Sequence, residues 1–231
     1  MGKQAATKVQ AGAEGTGAGE GIATPRAPKL KLVGSSKRQR ILEGMLEVVG
    51  TSGYEVASVR MVLGRTGLYR QAFYDEFPDK EACYLEAFGF GVARLEEIVA
   101  SAAAPEQSWQ GRLRAGLGAL LDALDADPAM GRALVVEVHA AGPEALQSRS
   151  EAMKRITDFI DSARHESDGQ ESPPPIAAEG IVAGMHAVVH AKLAAGDEQG
   201  FRELLPDFMY FATLPYFGAD VASEEMRAAR A

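Results

Sequence analysis

The amino-acid sequence predicts an all-α fold, in which a three-helix helix-turn-helix domain precedes a larger helical domain. Three observations lead to this prediction: apolar residues recur at helical spacing from Ser36 onward, no segment alternates apolar and polar residues as a β-strand does, and Gly or Pro separates the apolar stretches. With 231 residues and 46% hydrophobic side chains, the chain can bury a substantial core. We divide it into residues 1–34, 35–82 and 83–231.

The first domain is expected to contain three short helices. The first can be capped by Ser35 or Ser36 and is ended by Gly50 with Gly53, the second is capped by Ser58 and stops at Gly67, and the third covers about residues 69–77. Two short helices joined by a Gly-containing turn form the geometry in which the second helix can enter the major groove of DNA. Many helical cores contain such a pair, so the spacing alone leaves a purely structural role open.

Six more helices are expected after Pro78. Asp79 caps a long fourth helix of about 25 residues, whose length suits a connection between two domains. Three helices that are opened or closed by Pro or Gly follow, and the last two cover about residues 176–195 and 200–217. Residues 166–175, rich in Ser and Pro, are expected to form a mobile loop.

Composition points to a cytoplasmic protein. Cys83 is the single cysteine, which excludes an internal disulfide framework and a zinc site built from cysteines. No apolar run is long enough to span a membrane, and the first fifteen residues lack the apolar core of a signal peptide. We therefore expect neither secretion nor membrane insertion.

Charge is unevenly distributed along the chain. The net charge of −8 argues against nucleic-acid binding when taken as a whole, but residues 89–231 hold most of the excess, with twelve basic and twenty-two acidic side chains. Residues 26–40 carry six basic side chains and no acidic one. Since residues 1–34 have almost no large apolar side chains, we expect them to form a disordered basic arm.

The order of residues in the first domain is more specific than its helix spacing. From Arg38 to Phe88 the chain reads RQRILEGMLEVVGTSGYEVASVRMVLGRTGLYRQAFYDEFPDKEACYLEAF. In order, it contains a basic entry, Ile41-Leu42, Gly53-Tyr54, Ser58 before Val59-Arg60, Gly67, Tyr74, Phe77 and Asp79-Lys80-Glu81. Without gaps, this string resembles the N-terminal DNA-binding region of the TetR family of transcriptional regulators. The rest of the chain resembles the family's ligand-binding and dimerisation region only in general layout.

The resemblance implies a set of DNA contacts. Arg70 and Gln71 at the start of the third helix can reach base edges, because Arg pairs with guanine and Gln with adenine. Tyr74 corresponds to the family's phosphate-contacting tyrosine, and Lys80 adds its charge and the positive end of the fourth helix to a phosphate. The complete predicted contact set is Ser58, Arg60, Tyr69, Arg70, Gln71, Tyr74, Lys80, Lys37 and Arg38. The residues expected in the core instead are Val62, Leu68, Phe73 and Phe77.

Two features depart from the family pattern. Tyr69 stands where a small hydroxyl residue usually starts the third helix, so that cap is lost or replaced. Asp75 and Glu76 replace residues that are commonly basic, and a carboxylate facing phosphate would weaken DNA binding. We favour the interpretation that these carboxylates turn toward solvent or pair with Arg60 or Arg65.

The positive charges of the basic arm can compensate for repulsion between these two carboxylates and DNA phosphates. One hypothesis places residues 26–40 along the DNA backbone or in the minor groove beside the site. The alternative is a solvated tail without a role in binding.

A ligand cavity is expected among helices four to eight. Small residues and methionines favour a roomy, apolar pocket for a hydrophobic or amphipathic effector. The candidate lining residues are Phe88, Trp109, Leu117, Glu137, His139, Met153, Phe159 and Met185. Each of them also suits a purely structural place in the core.

Helix eight carries a stripe of small residues that favours close helix packing. Each internal glycine costs about 1 kcal/mol relative to alanine, so its presence needs a reason. With helix nine, the stripe would form a four-helix interface in a twofold homodimer, although packing within one chain is the alternative. The predicted interface residues are Gly180, Gly184, Ala187, Ala191 and Phe208.

Sites for metals and catalysis are not expected. His186 and His190 are four residues apart, but the HExxH motif requires Glu where Ala187 stands, and no third ligand is evident. Cys83 lies near a helix N-terminus that could lower its pKa, yet no partner base is identifiable. The sequence predicts no cofactor and no enzymatic activity.

These features predict a ligand-responsive, sequence-specific transcriptional regulator. We expect a homodimer that represses from a palindromic operator and is released by a small, largely hydrophobic effector, with no membrane partner. The alternatives are an effector-binding helical dimer that has lost DNA binding and an all-α enzyme.

Overall fold

The described part of the chain is helical throughout. The computed structural model describes residues 36–167, 173–197 and 200–230, and contains no β-strand within them. The chain divides into two units, residues 1–31 and 32–231, and all described residues belong to the second. The all-α prediction is confirmed. The predicted basic arm, residues 1–34, lies outside the described residues.

The helices follow one another in the predicted order. They are α1 (Lys37–Ser52), α2 (Val59–Thr66), α3 (Arg70–Tyr74), α4 (Lys80–Ala103), α5 (Trp109–Ala126), α6 (Pro128–Val135), α7 (Pro143–Asp161), α8 (Ala177–Ala195) and α9 (Leu205–Ala228). Short 3₁₀ segments occur at Glu137–Ala140, Ser162–His165 and Arg202–Leu204. Among the described helices, none combines the length and apolar character needed to cross a lipid bilayer.

Local chemistry explains where the first helices begin and end. The Ser36 hydroxyl accepts a hydrogen bond from the backbone N–H of Gln39, and the Asp79 carboxylate accepts one from Ala82, so both predicted caps are confirmed. Ser58 precedes α2 as predicted but makes no side-chain capping bond. Gly67 ends α2 with a φ of 67°, a left-handed conformation that glycine adopts without strain.

Two predicted helix ends are wrong. α3 stops at Tyr74 rather than Phe77, because the N–H groups of Glu76 and Phe77 both turn back to the carbonyl of Phe73. α9 continues far beyond the predicted end near residue 217, since the chain bends at Gly218 and then resumes helical structure. The extension packs against α5, where Arg114 forms an ion pair with Glu225 at 3.2 Å.

Two hydrophobic clusters hold the helices together. The first joins α1–α4 to α6 and the following 3₁₀ turn, so α1–α3 rest on helices from the second half of the chain. Its fully buried side chains include Ile41, Met45, Val62 and Phe73. The second cluster lies among α5, α7, α8 and α9 and centres on the buried Trp109. The predicted core positions Val62, Phe73 and Phe77 are buried, and Leu68 packs against the first cluster.

The contact between α1 and α6 depends on one glycine. A Cβ atom built on Gly50 would lie 1.8 Å from the carbonyl oxygen of Ala129. Since real Cβ atoms never approach backbone so closely, α1 and α6 can cross only where the side chain is absent.

Replacing Gly50 by alanine should therefore force α1 away from α6 and lower the free energy of unfolding by roughly 1–3 kcal/mol or more. Gly64 in α2 is the matched control, because a Cβ there meets nothing within 4 Å. Gly64→Ala should instead raise stability by up to about 1 kcal/mol. Urea denaturation of both variants checks the pair, and an unchanged midpoint for Gly50→Ala would contradict the crossing.

Candidate functional site

The outward face of α3 presents a compact set of polar and aromatic side chains. Ala72 and Phe73 are fully buried and fix the helix against the core. The opposite face exposes Arg70, Gln71 and Tyr74, with the Arg70 guanidinium carbon 5.4 Å from the centre of the Tyr74 ring. Three of the residues predicted to contact DNA therefore lie together on one surface.

The predicted contact residues of α2 and the preceding turns are also accessible. Ser58 and Arg60 are exposed at the start of α2, and Lys37 is exposed at the start of α1. Tyr69 stands immediately before α3 with 68% of its surface accessible and without a side-chain capping bond. A large exposed aromatic ring at this edge suits contact with another molecule.

The acidic residues after Tyr74 have partners that the sequence did not predict. Asp75 is exposed, and one of its oxygens accepts a hydrogen bond from Gln71 Nε2 at 2.8 Å, one helical turn away. Of the two suggested alternatives, exposure to solvent holds for Asp75, whereas Glu76 pairs with Arg38 rather than with Arg60 or Arg65. Arg65 is bound to Glu47 on α1.

Arg38 binds Glu76 and thereby joins three elements. Its Nη1 donates to the Glu76 carbonyl at 3.0 Å and to the Glu76 carboxylate at 3.1 Å. Its Nε donates to Glu86 on α4 at 2.7 Å, and the guanidinium lies 4.5 Å from the centre of the Phe77 ring. Predicted as a DNA contact, Arg38 is instead engaged within the domain, where it ties the end of the recognition helix to α1 and α4.

Lys80, also predicted to contact DNA, takes part in a second internal network. Its Nζ donates to the Tyr54 carbonyl at 2.9 Å and lies 4.2 Å from the centre of the Tyr54 ring. The N–H of Tyr54 donates to the Glu137 carboxylate at 2.9 Å, and the rings of Tyr54 and Tyr84 are 4.9 Å apart. We call Tyr54, Lys80, Tyr84 and Glu137 the Tyr54 junction.

Sequence reasoning missed the Tyr54 junction because its partners are distant along the chain. Glu137 follows Tyr54 by 83 residues and also pairs with Arg132 at 3.2 Å, so it is a structural acceptor rather than an unoccupied ligand contact. The signal in the sequence was that Glu137 is an acidic residue in an otherwise apolar segment. That feature had suggested a place in the lining of a ligand pocket.

The other predicted ligand residues do not form one lining. Phe88 belongs to the first hydrophobic cluster, whereas Trp109 is fully buried in the second. Trp109 donates through Nε1 to the carbonyl of Phe159 at 3.1 Å, and the two rings stack 6.0 Å apart. Residues that are partly buried against the second cluster are Leu117, Met153, Phe159 and Met185. His139 is exposed.

An open pocket lies elsewhere on the described surface, and three of its lining side chains are charged. It has a volume of about 210 Å³ and lies between the start of α5 and the 3₁₀ turn before α9. Its lining consists of Glu106, Gly111, Arg114, Ala115 and Arg202. None of the eight predicted ligand residues contributes to it.

The predicted dimer stripe is exposed, with one exception. Gly180, Ala187 and Ala191 face solvent, and a Cβ on Gly184 would lie 3.2 Å from the ring of Phe211. Phe208 is wrongly predicted, because it is only 6% exposed and packs inside the second cluster. The aromatic residue that α9 does expose on this side is Phe211, with 44% of its surface accessible. Ile176 and Val188 of the α8 segment are exposed as well.

The single cysteine is inert. Cys83 is fully buried, and burial raises the pKa of its thiol to about 12. The suggestion that the helix N-terminus lowers this pKa is wrong, since removal from water dominates. Within the described ranges, no three His, Cys, Asp or Glu side chains are placed to hold a metal ion.

Comparison with known proteins gives local sequence relatives. No protein-family model matches the chain. It is 39% identical over 66 residues to the HTH-type transcriptional repressor AcnR of Corynebacterium diphtheriae, a match covering 29% of this chain and 35% of the relative. The AcnR protein of Corynebacterium glutamicum is 38% identical over 65 residues, covering 28% and 35%. The match spans about a third of the length of these curated relatives.

Solved structures extend the likeness to most of the chain. The fatty acid degradation regulator FadR of Bacillus halodurans superposes with a TM-score of 0.68 and 14% identity, over 79% of this chain and 96% of that one. FadR of Bacillus subtilis in complex with stearoyl-CoA gives a TM-score of 0.65 at 14% identity, over 76% and 96%. A regulatory protein of the TetR family from Rhodococcus RHA1 gives 0.63 at 17% identity, over 81% and 100%. The resemblance that the first three helices predicted is thereby confirmed: the chain has the fold of the TetR family of transcriptional regulators.

Proposed function

We propose that this protein is a dimeric, ligand-responsive transcriptional regulator that binds operator DNA through α3. The orientation of α3 carries this proposal. Ala72 and Phe73 anchor the helix in the core and leave Arg70, Gln71 and Tyr74 at the surface. Arg and Gln are the side chains suited to guanine and adenine edges in the major groove, and a neighbouring tyrosine suits a phosphate.

The relatives support repression as the direction of control. The two AcnR proteins are named as transcriptional repressors. The Bacillus subtilis FadR structure contains stearoyl-CoA, an amphipathic molecule. For this chain we propose repression that is relieved by a small effector with a large apolar part, acting in the cytoplasm and without enzymatic activity.

The acidic residues of the recognition helix are compatible with DNA binding. Glu76 is neutralised by Arg38, and Asp75 accepts a hydrogen bond from Gln71. The neutral amide of Gln71 orients Asp75 without cancelling its charge, whereas the positive guanidinium of Arg38 directly offsets the charge of Glu76. This pairing favours a functional regulator over a helical dimer that has lost DNA binding.

The exposed face of α8 and α9 supports a homodimer. Small residues along α8 leave room for a partner helix, and Ile176, Val188 and Phe211 expose apolar surface beside them. A twofold dimer would bury this surface and place two recognition helices about one DNA turn apart, which requires a palindromic operator.

The first test selects operator fragments from genomic DNA with the purified full-length protein at about 150 mM salt, near physiological ionic strength. Arg70→Ala should weaken binding to the selected site by about 1–3 kcal/mol and relax the preference for one base pair. Arg155→Ala, which alters an exposed Arg of α7 paired with Glu96, is the control and should bind normally. Equal binding by the wild type and Arg70→Ala would refute α3 as the reader.

A second test separates a contact with phosphate from positioning of α3. Lys37→Gln should reduce the slope of log affinity against log salt by about 1, because an exposed cation near DNA releases a counterion when it binds phosphate. Arg38→Gln should weaken binding while leaving that slope unchanged, since Arg38 acts through Glu76 and Glu86.

Fluorescence anisotropy of the selected operator, measured between about 50 and 200 mM salt, checks both slopes. A slope that falls equally in both variants would show that Arg38 leaves its carboxylates and binds phosphate directly. An unchanged slope for Lys37→Gln would remove Lys37 from the interface.

A further inference from the structure

Four nitrogen-bearing side chains converge where α7, α8 and the 3₁₀ turn Glu137–Ala140 meet. His186 and His190 lie one turn apart on α8, with ring centres 6.2 Å from each other. The ring of His139, from the 3₁₀ turn, lies 5.8 Å from that of His190. Arg149 reaches His186 from α7. We call these four residues the His–Arg cluster.

The N–H groups of Arg149 make only long polar contacts with the described residues. Its Nη2 lies 3.4 Å from Nε2 and 3.5 Å from Nδ1 of His186, so it points between the two ring nitrogens rather than along one lone pair. Both distances exceed those of a normal N–H hydrogen bond. Its Nε is buried and has no hydrogen-bond partner. The Nε–H group has therefore lost hydration without gaining an acceptor, which is unfavourable.

The cluster also lacks a counter-charge. The pKa of His186 is lowered to about 4, first by burial and then by the positive charges of Arg149, His190 and His139. Within the described ranges, no carboxylate opposes this lowering. The neighbouring Arg132 of α6 is already bound to Glu137 and to the carbonyl of Leu193.

Other arginines of the described segments show the contrast. Arg132 pairs with Glu137 at 3.2 Å, and Arg164 pairs with Asp161 at 2.6 Å. Among the described residues, Arg149 makes polar contacts with His186 alone. Since partly buried guanidinium groups are normally paired, the missing partner points to a molecule from outside the chain.

We propose that the His–Arg cluster binds an oxyanion, the carboxylate or phosphate group of a ligand. The planar guanidinium of Arg149 can donate two parallel hydrogen bonds to such a group. His186 and His190 can each donate a further bond from the same helix. This inference rests on the proposed function in one respect, because it names the polar end of the proposed effector.

Binding should be coupled to proton uptake. Without a ligand, His186 is neutral near pH 7, since the pKa of its ring is about 4. An anion beside the ring favours the protonated form and raises that pKa. The complex therefore holds more protons than the unliganded protein, and affinity should increase as pH falls from neutrality toward the pKa of about 4 of the unliganded His186 ring.

The test titrates the full-length protein with two separate probes, inorganic pyrophosphate and octanoate, and follows the imidazole signals of His139, His186 and His190 by NMR at several pH values. At least one probe should move the His186 signals and raise the pKa of its ring. The shift should be larger at lower pH. The probe that succeeds distinguishes a phosphate-bearing ligand from a carboxylate.

Variants of arginines on α7 supply the control. Arg149→Gln should weaken probe binding about tenfold or more, whereas Arg155→Gln on the same helix, where Arg155 is exposed and paired with Glu96, should not. Arg149→Lys, which keeps the charge but loses the planar fork, should bind with intermediate affinity. His190→Asn tests the site independently if an Arg149 variant fails to fold.

Absence of a response from His186 to either probe, or equal affinities in wild type and Arg149→Gln, would overturn the inference. DNA binding by the wild type is measured separately. Operator binding without a probe response rejects the oxyanion site and leaves the regulator proposal intact. A probe response without operator binding supports the oxyanion site and rejects the regulator proposal.

Discussion

The backbone of Tyr54 is held from two sides, and the placement of the DNA-binding helices depends on that hold. Its N–H donates to Glu137, and its carbonyl accepts from Lys80. Both bonds involve an ionised partner, which makes them stronger than bonds between neutral groups. Tyr84 packs against the same ring and donates to the Ala133 carbonyl at 2.6 Å. The loop between α1 and α2 is therefore fixed simultaneously to α4 and to the turn after α6.

The negative charge at the end of α3 is also paired within the domain. Glu76 would repel DNA if it were unpaired, but its charge and its carbonyl both meet Arg38. The same guanidinium binds Glu86 on α4, so the residue that offsets the charge of Glu76 also links the end of α3 to α4. One arginine thus serves charge balance and geometry together. This explains how a chain with net charge −8 can present Arg70 and Tyr74 on a surface suited to DNA.

The features that were predicted correctly from the sequence depend on interactions between residues close together in the chain. Helical periodicity, the caps at Ser36 and Asp79, and the left-handed Gly67 depend on neighbours within a few residues, and each is present. The family resemblance implied that Arg70, Gln71 and Tyr74 lie at the surface, and all three are exposed.

Predictions failed where partners are far apart in sequence. Phe208 has the composition of an interface residue, but the second cluster buries it. DNA contacts were assigned to Arg38 and Lys80 from the family resemblance and their positive charge, and nothing nearby in sequence identifies Glu86 or Tyr54 as partners. Gly218 allows α9 to bend and resume, which periodicity cannot distinguish from a helix end.

The 3₁₀ turn Glu137–Ala140 contacts two regions through residues only two positions apart: the loop before α2 and the His–Arg cluster. Glu137 holds Tyr54, while His139 faces His190 in the His–Arg cluster. An anion drawn between Arg149 and these histidines would favour one position of the turn, and the carboxylate of Glu137 would move with it. If that position suits the operator poorly, effector and DNA oppose each other by equal free energies, since coupling between two binding sites is reciprocal. On this proposal the path between the two sites is short, because Tyr54 is bonded to Glu137 of the same turn that places His139 against His190.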